Sequence, residues 1–147
     1  IEASSGLRAQ PADIGIGISQ VLPVVVAALD PAAILVSIEQ PELHIHPAVQ
    51  VGLGDLLIKG AKEHGTCFLI ETHSEHLVLR LMRRIRETED DELPPGAIGL
   101  KPSDLGILYV QPGESGTTIL PLPVDTTGEF TTSWPKGFFE ERAGELF

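Results

Sequence analysis

Two carboxylates, a carboxamide and two imidazoles crowd into eight residues of this chain, as Glu39, Gln40, Glu42, His44 and His46. They follow directly on an apolar run, residues 33–38, with Pro41 and Pro47 set among them. A second polar group, Glu71-Thr72-His73 with His76 close behind, ends another short β-like run at 66–71. Acids at the carboxyl end of a buried strand are where nucleotide-binding α/β proteins hold a metal ion and a water. Imidazoles beside carboxylates also form a ligand set for Zn2+ or Mn2+. The residues by themselves therefore leave two chemistries open, a nucleotide site and a metal site.

Either chemistry needs elements that bring these groups together. Residues 33–38 are apolar on both faces, which predicts a central strand of a parallel sheet. Pro47 opens a helix along which Val51, Leu56, Leu57 and Ala61 lie, and Gly65 closes it. Residues 66–71 predict a second strand. Ser74 caps a third helix with an apolar stripe of Leu77, Val78, Leu81, Met82 and Ile85. Arg80, Arg83, Arg84 and Arg86 fall largely opposite that stripe and read as a solvated face. Strand, helix, strand, helix in this order is a βαβ unit with parallel strands and a right-handed crossover. Ahead of it, the valine-rich block 21–29 reads as a helix rather than a strand. Pro23 suits a first helical turn and would break a central strand, and apolar side chains all round predict burial.

Residues 1–13 read as a polar leading loop, and 89–96 as a charged one. Residues 105–110 and 117–122 predict a hairpin across the loop 111–116. The tail from 125 on carries Phe130, Trp134, Phe138, Phe139 and Phe147 and is expected to dock on the sheet. The expected organisation is one α/β domain over 1–123 and a docking segment over 124–147.

Parallel strands place their carboxyl ends on the same sheet edge. Glu39 and Gln40 therefore share one crevice with His73, and Glu42 and His44 lie close by. Open α/β sheets bind ligands at such a crevice.

Composition narrows the partners. Asp and Glu number 21 against 10 Lys and Arg, a net charge of −11 over 147 residues. Such a surface repels phosphate backbones, so a nucleic-acid grip is not expected of this piece by itself. The longest apolar run, 21–29, is far short of the roughly 20 residues a membrane span needs. Cys67 is alone in an apolar run and reads as a reduced core residue, which suits a cytoplasmic protein. A start at Ile1 rather than Met suggests a fragment or a processed product.

Glu39-Gln40-Pro41-Glu42-Leu43-His44-Ile45-His46-Pro47 resembles a Walker B motif running into a D-loop. Glu71-Thr72-His73-Ser74-Glu75-His76-Leu77 resembles a switch-histidine segment, and Asp13-Ile-Gly15-Ile-Gly17-Ile-Ser19-Gln20-Val-Leu-Pro23 sits where a signature motif would. On these motifs the chain resembles the C-terminal half of an ABC-type AAA ATPase, with relatives of the SMC-like and OLD-like kind. Within them it is similar to a subgroup whose second motif reads I-E-Q-P-E-L-H-x-H-P. Gly128-Glu129-Phe130 and Trp134-Pro-Lys-Gly-Phe-Phe139 look like that subgroup's C-terminal segment.

The resemblance implies the parallel-sheet half of a P-loop NTPase. It implies Mg2+ held through water by Glu39, and Gln40, Glu42 and His73 as the catalytic set. Gly15, Gly17, Ser19 and Gln20 would meet the γ-phosphate of ATP held by another subunit, at a helix N-terminus. ATP would thus join two copies of the full-length protein, and hydrolysis would release them. DNA repair, genome maintenance or defence against foreign DNA is the implied setting, with nucleic acid a partner of the whole protein.

Three departures qualify that reading. Glu39 stands where many relatives have Asp. Gln40 stands where the family has the catalytic Glu, and a glutamine can orient a water but cannot take its proton. Hydrolysis is then slow, or Glu42 or another group is the base, or Gln40 positions water as in some GTPases. Gly15 replaces the usual signature serine. No G-x-x-x-x-G-K-[ST] phosphate loop occurs in the chain, so the chain alone is expected not to bind ATP productively.

Two rivals remain. One is a metal-binding module or metal-dependent hydrolase using His44, His46 and His73, with His76, Glu39 and Glu42 in reach. The other is a non-catalytic interaction module that presents the acidic surface and the aromatic tail.

Overall fold

The computed structural model describes residues 15–113 and 116–133. The leading loop at 1–13, the start of the signature-like stretch, the hairpin tip at 114–115 and the tail from 134 on lie outside the described residues. Contacts divide the chain into two compact units, Ile1–Arg80 and Leu81–Phe147. The division differs from the compositional boundary at 123/124 and falls within a helix.

The first unit contains α1 (Ile16–Leu29), β1 (Leu35–Glu39), α2 (Pro47–His64) and β2 (Cys67–Glu71), and α3 (Glu75–Glu89) starts in it. β1 and β2 pair in parallel, from Leu35↔Cys67 to Glu39↔Glu71. The α/β fold with a parallel sheet is thus present. Short-range chemistry sets its helix ends. Pro47 is in the first turn of α2, and His46 caps that turn by accepting from the Ala48 N–H on Nδ1 at 3.2 Å. Gly65 ends α2 in the left-handed region at φ 73°, where a Cβ is costly, and its N–H returns to the Ala61 carbonyl at 3.1 Å. Ser74 caps α3 by accepting the Leu77 N–H at 3.0 Å.

The core of this unit is Val24, Leu53, Leu57 and Leu77, with Val21, Ile38, Ile45, Leu56, Phe68 and Ile70 packed against it. Alternation along the strands sends Val36, Ile38, Phe68 and Ile70 inward. Leu35 and Leu69, on the other face, are 65% and 62% exposed. The expectation of a strand buried on both faces is therefore corrected. Among the described residues β1 has a single hydrogen-bonded neighbour, which makes it an edge strand rather than a central one, and the alternating burial shows that only one face of the sheet is covered. Cys67 lies on the uncovered face and is exposed rather than part of the core.

α1 also differs from its sequence reading. It starts at Ile16, so Pro23 sits inside the helix instead of in its first turn. The chain enters the helix at Gly15, whose φ of 94° suits a residue without Cβ. Pro23 faces outward. There the ring meets solvent, and the helix runs on through it to Leu29. Only Val24 and Ala28 of α1 are buried; Ile16, Ile18, Leu22, Val26 and Leu29 are exposed.

The second unit holds the rest of α3, a 3-10 turn at Pro102–Asp104, and an antiparallel hairpin of β3 (Leu108–Gly113) and β4 (Gly116–Pro121). Pairing reaches Gly113↔Gly116, so most of the stretch read as a hairpin loop is strand. Met82, Ile85, Leu100 and Leu122 are buried. Arg84 is buried too, against the expectation that all four arginines are solvated. It pairs with Glu87, which also accepts from Arg83 at 2.6 Å. Burial pushes the Glu87 carboxyl up, but hydrogen bonds from Arg83 and Arg84, with their charges, outweigh this and hold it below its ordinary value of 4.5. Past β4, Asp125 Oδ1 accepts from the Thr127 and Glu129 N–H groups at 2.9 and 3.1 Å and closes a turn. In that turn Gly128, at φ 73°, lies against the Met82 carbonyl too closely for any Cβ. No helix among the described residues is long and apolar enough to cross a membrane.

Candidate functional site

The parallel register sets the carboxyl ends of β1 and β2 side by side, with Glu39 opposite Glu71. One further ladder bond, from the Gln40 N–H to the Glu71 carbonyl at 2.8 Å, carries the pairing past the end of β1. There the backbone turns sharply. Gln40 adopts φ 44° and His44 φ 59°, both in the left-handed region that side chains with a Cβ rarely visit. Pro41 is buried beneath the turn. Leu43 donates to the Gln40 carbonyl at 3.2 Å and Ile45 to the Glu42 carbonyl at 3.3 Å. Two non-glycine residues held at positive φ within five positions mark a turn fixed by its surroundings.

Those surroundings are hydrogen bonds from the turn after β2. Glu42 spans the gap. Its Oε1 accepts the His73 N–H at 2.7 Å, and its Oε2 accepts the Thr72 hydroxyl at 2.8 Å. The Thr72 hydroxyl in turn accepts the Ser74 N–H at 3.0 Å. A second bridge rises from α2. Gln50 Nε2 donates to the Ile45 carbonyl at 3.0 Å and, at 3.4 Å, to the Glu42 carbonyl. Gln50 Oε1 accepts the Ser74 hydroxyl at 2.7 Å, the same hydroxyl that caps α3.

Gln40, Glu42, Leu43, Gln50, His73, Ser74, Glu75 and His76 line a solvent-open depression of about 380 Å³ at this edge. The three side chains read as the catalytic set, Gln40, Glu42 and His73, thus meet in one place, with His76 beside them. Glu39 stands exposed at the strand end beside them and is not part of the lining. Gly15, Gly17, Ser19 and Gln20 belong to the start of α1 and do not line the depression. Gly17 packs so closely on the His44 carbonyl that a Cβ there would overlap the oxygen. Gly15 has open space around it, so its role lies in its φ.

The arrangement offers an amide able to orient a water at Gln40 and an imidazole across from it at His73. Glu42 has both oxygens engaged between them. His44 and His46 do not join His73 and His76 in lining the depression. His46 is spent on the α2 cap, and among the described residues no three His, Cys, Asp or Glu side chains are arranged to hold a metal ion. Sequence reading missed Gln50, Thr72 and the second duty of Ser74. A signal for Gln50 did exist. It lies one turn before Leu53 and two before Leu57, a polar side chain on the buried stripe of α2.

With this geometry in place, family comparison is informative. Residues 2–80, more than half of the chain, match the family model described as an AAA domain of the AbiEii-like, type IV toxin–antitoxin kind. The chain belongs to this AAA-domain family. Residues 100–147 match a second family, described as protein of unknown function (DUF3696). No curated protein and no solved structure is significantly similar to the chain. The AAA-domain match covers the whole of the depression and ends where the first compact unit ends.

Proposed function

We propose that this AAA-domain chain supplies the strand-end half of an ATP-hydrolysing site of the ABC type. One observation carries the reading. Gln40 and His73, from separate turns, line one depression at the carboxyl edge of a parallel sheet and are tied together by Glu42. Membership of the AAA family supplies the nucleotide.

Gln40 orients the attacking water through its amide, and His73 faces the terminal phosphate. Glu42 keeps the two turns in register, since its oxygens already serve Thr72 and His73. Mg2+ prefers hard oxygens and keeps most of its waters, so a single exposed carboxylate beside a strand end fits it. Glu39 is that carboxylate, with Glu71 next to it in register. When bound, Mg2+ supplies charge neutralisation at the phosphate oxygens. The start of α1, with Gly15, Gly17, Ser19 and Gln20, meets the phosphates of a nucleotide carried by a second copy, because a helix N-terminus attracts anions. ATP then joins two copies of the complete protein. The phosphate loop, absent from these 147 residues, belongs to the other half of the site.

The test is ATP hydrolysis by the complete protein. Glu39→Ala and His73→Ala each lower the rate, by about 100-fold on the scale of a lost transition-state contact. Gln40→Glu, which keeps the shape and adds a proton acceptor, raises it by about tenfold or more. Hydrolysis unaffected by His73→Ala overturns the reading.

A further inference from the structure

We propose that Gln50 is a positioning residue. It couples the turn at 40–46 to the turn at 72–74, and so fixes Gln40 and His73 relative to each other. The proposal rests on the reading of those two side chains as active-site groups.

Gln50 is the node at which three hydrogen bonds from two turns meet. Its amide nitrogen holds the first turn through the Ile45 and Glu42 carbonyls, and its oxygen holds the second through the Ser74 hydroxyl. The orientation of the amide is set by these partners. Two carbonyls can only accept, so they require the NH2 end. The Ser74 hydroxyl already accepts the Leu77 N–H, and its own proton is left for the oxygen end. A reversed amide would set oxygen against two carbonyl oxygens.

The rest of the network has the same connectivity. Glu42 reaches Thr72 and His73 from the first turn, and Thr72 accepts from Ser74. The path Gln50–Ser74–Thr72–Glu42 therefore closes on itself when the Glu42 carbonyl returns to Gln50. A closed ring resists shear of one turn against the other, where a single bridge would only tether them. Gln50 is also the one member of the ring on a long helix, four residues into α2 and in line with core residues Leu53 and Leu57. That helix gives the ring a rigid reference which neither turn supplies. Outside the ring Gln50 has a duty to neither strand. An apolar residue at its place would serve the core equally well.

The experiment uses Gln50→Met, matched in length and helix propensity, and Gln50→Glu, which keeps the acceptor for Ser74 and loses both donors. Amide exchange and amide chemical shifts are read in the 147-residue chain, with melting curves to verify folding. Coupling predicts that in Gln50→Met the Leu43 and Ile45 amides and the His73 amide all exchange faster together, by about tenfold. The His73 amide resonance moves as well. In Gln50→Glu the same amides respond, because the first turn is lost even where the Ser74 bond survives. A folded variant of either kind with an unmoved His73 amide overturns the proposal. So does faster exchange confined to one turn.

In the complete protein, Gln50→Met lowers kcat for ATP by about tenfold and leaves KM within about twofold, the split expected when geometry rather than binding is lost. A raised KM at unchanged kcat overturns the positioning role. If the unsubstituted complete protein hydrolyses no ATP, the ATPase reading falls. The amide measurements still decide whether Gln50 couples the turns.

Discussion

At Glu42 both carboxylate oxygens accept hydrogen bonds from the turn after β2, one from a hydroxyl and one from a backbone N–H. That makes it a brace before it is anything else. Removing the brace leaves the half-buried Thr72 hydroxyl and the exposed His73 N–H without their acceptor, and Glu42→Ala is expected to cost about 1–2 kcal/mol in a thermal or denaturant melt, most of it at Thr72. Glu42→Gln is expected to recover only part of this, because an amide presents one oxygen and sets its NH2 against the other donor. A Glu42→Gln variant as stable as the parent would show that the two bonds contribute little. The same residue shows what a sequence conceals. Its neighbourhood is legible: an acid one proline past a strand end, close to the end of a parallel neighbour. Its partners are not. Glu42 meets residues 30 and 31 positions away, and Gln50 meets Ser74 across 24. No local pattern encodes which of several polar side chains at one sheet edge will pair.

Element boundaries were more readable, because caps and breakers act over a few residues. Pro47, Gly65 and Ser74 mark helix ends in the structure as their chemistry requires. What failed was burial. The two-faced apolar strand and the all-apolar helix predict burial all round, yet only one sheet face and part of α1 are covered. Hydropathy reports what a segment can bury, and neighbours decide what it does bury. Along α2 the fully buried positions are Leu53, Gly54, Leu57, Ile58 and Gly60; of the set predicted from sequence Leu57 is among them, while Val51, Leu56 and Ala61 are half-buried, and Gln50 lies on the part of the stripe, with Leu53, that the pattern did not single out. In α1, the contact of Gly17 with the His44 carbonyl gives an element-level test. Gly17→Ala must push the helix off the turn, and a cost of about 1–3 kcal/mol is expected from overpacking. In α3, the Arg83–Glu87–Arg84 cluster makes stability depend on pH. The Glu87 carboxyl is held below its ordinary 4.5 in the folded chain. Its contribution is therefore present above that pH and is lost as the pH falls through the lower folded value. Acid melts of the parent are expected to lose stability in that window. Glu87→Gln should be less stable at neutral pH and should flatten the acid-side slope. An unchanged slope would assign the acid sensitivity to other carboxylates.

For the chain as a whole, charge and motif content make the same demand on nucleotide binding. ATP is a polyanion, and a net charge of −11 over 147 residues disfavours its approach unless local donors overcome the field. In P-loop proteins those donors are the backbone N–H groups and the lysine of the phosphate loop. The described edge presents two glutamines, two histidines and two glutamates to its depression instead. A dissociation constant of 1 μM requires about 8 kcal/mol of net binding. One imidazole and one amide with a hydrated cation fall well short of that, since each hydrogen bond exchanged with water contributes only about 0.5–1.5 kcal/mol. Calorimetric titration of this chain with ATP and Mg2+ should therefore show no micromolar binding. A longer protein that carries the proposed phosphate loop should show it, and lower salt should not rescue the isolated chain, because screening by salt weakens repulsion rather than attraction here. Micromolar affinity in the isolated chain would mean that the strand-end groups hold the nucleotide unaided. The composite-site reading would then give way to a self-sufficient one centred on Gln40, His73 and His76.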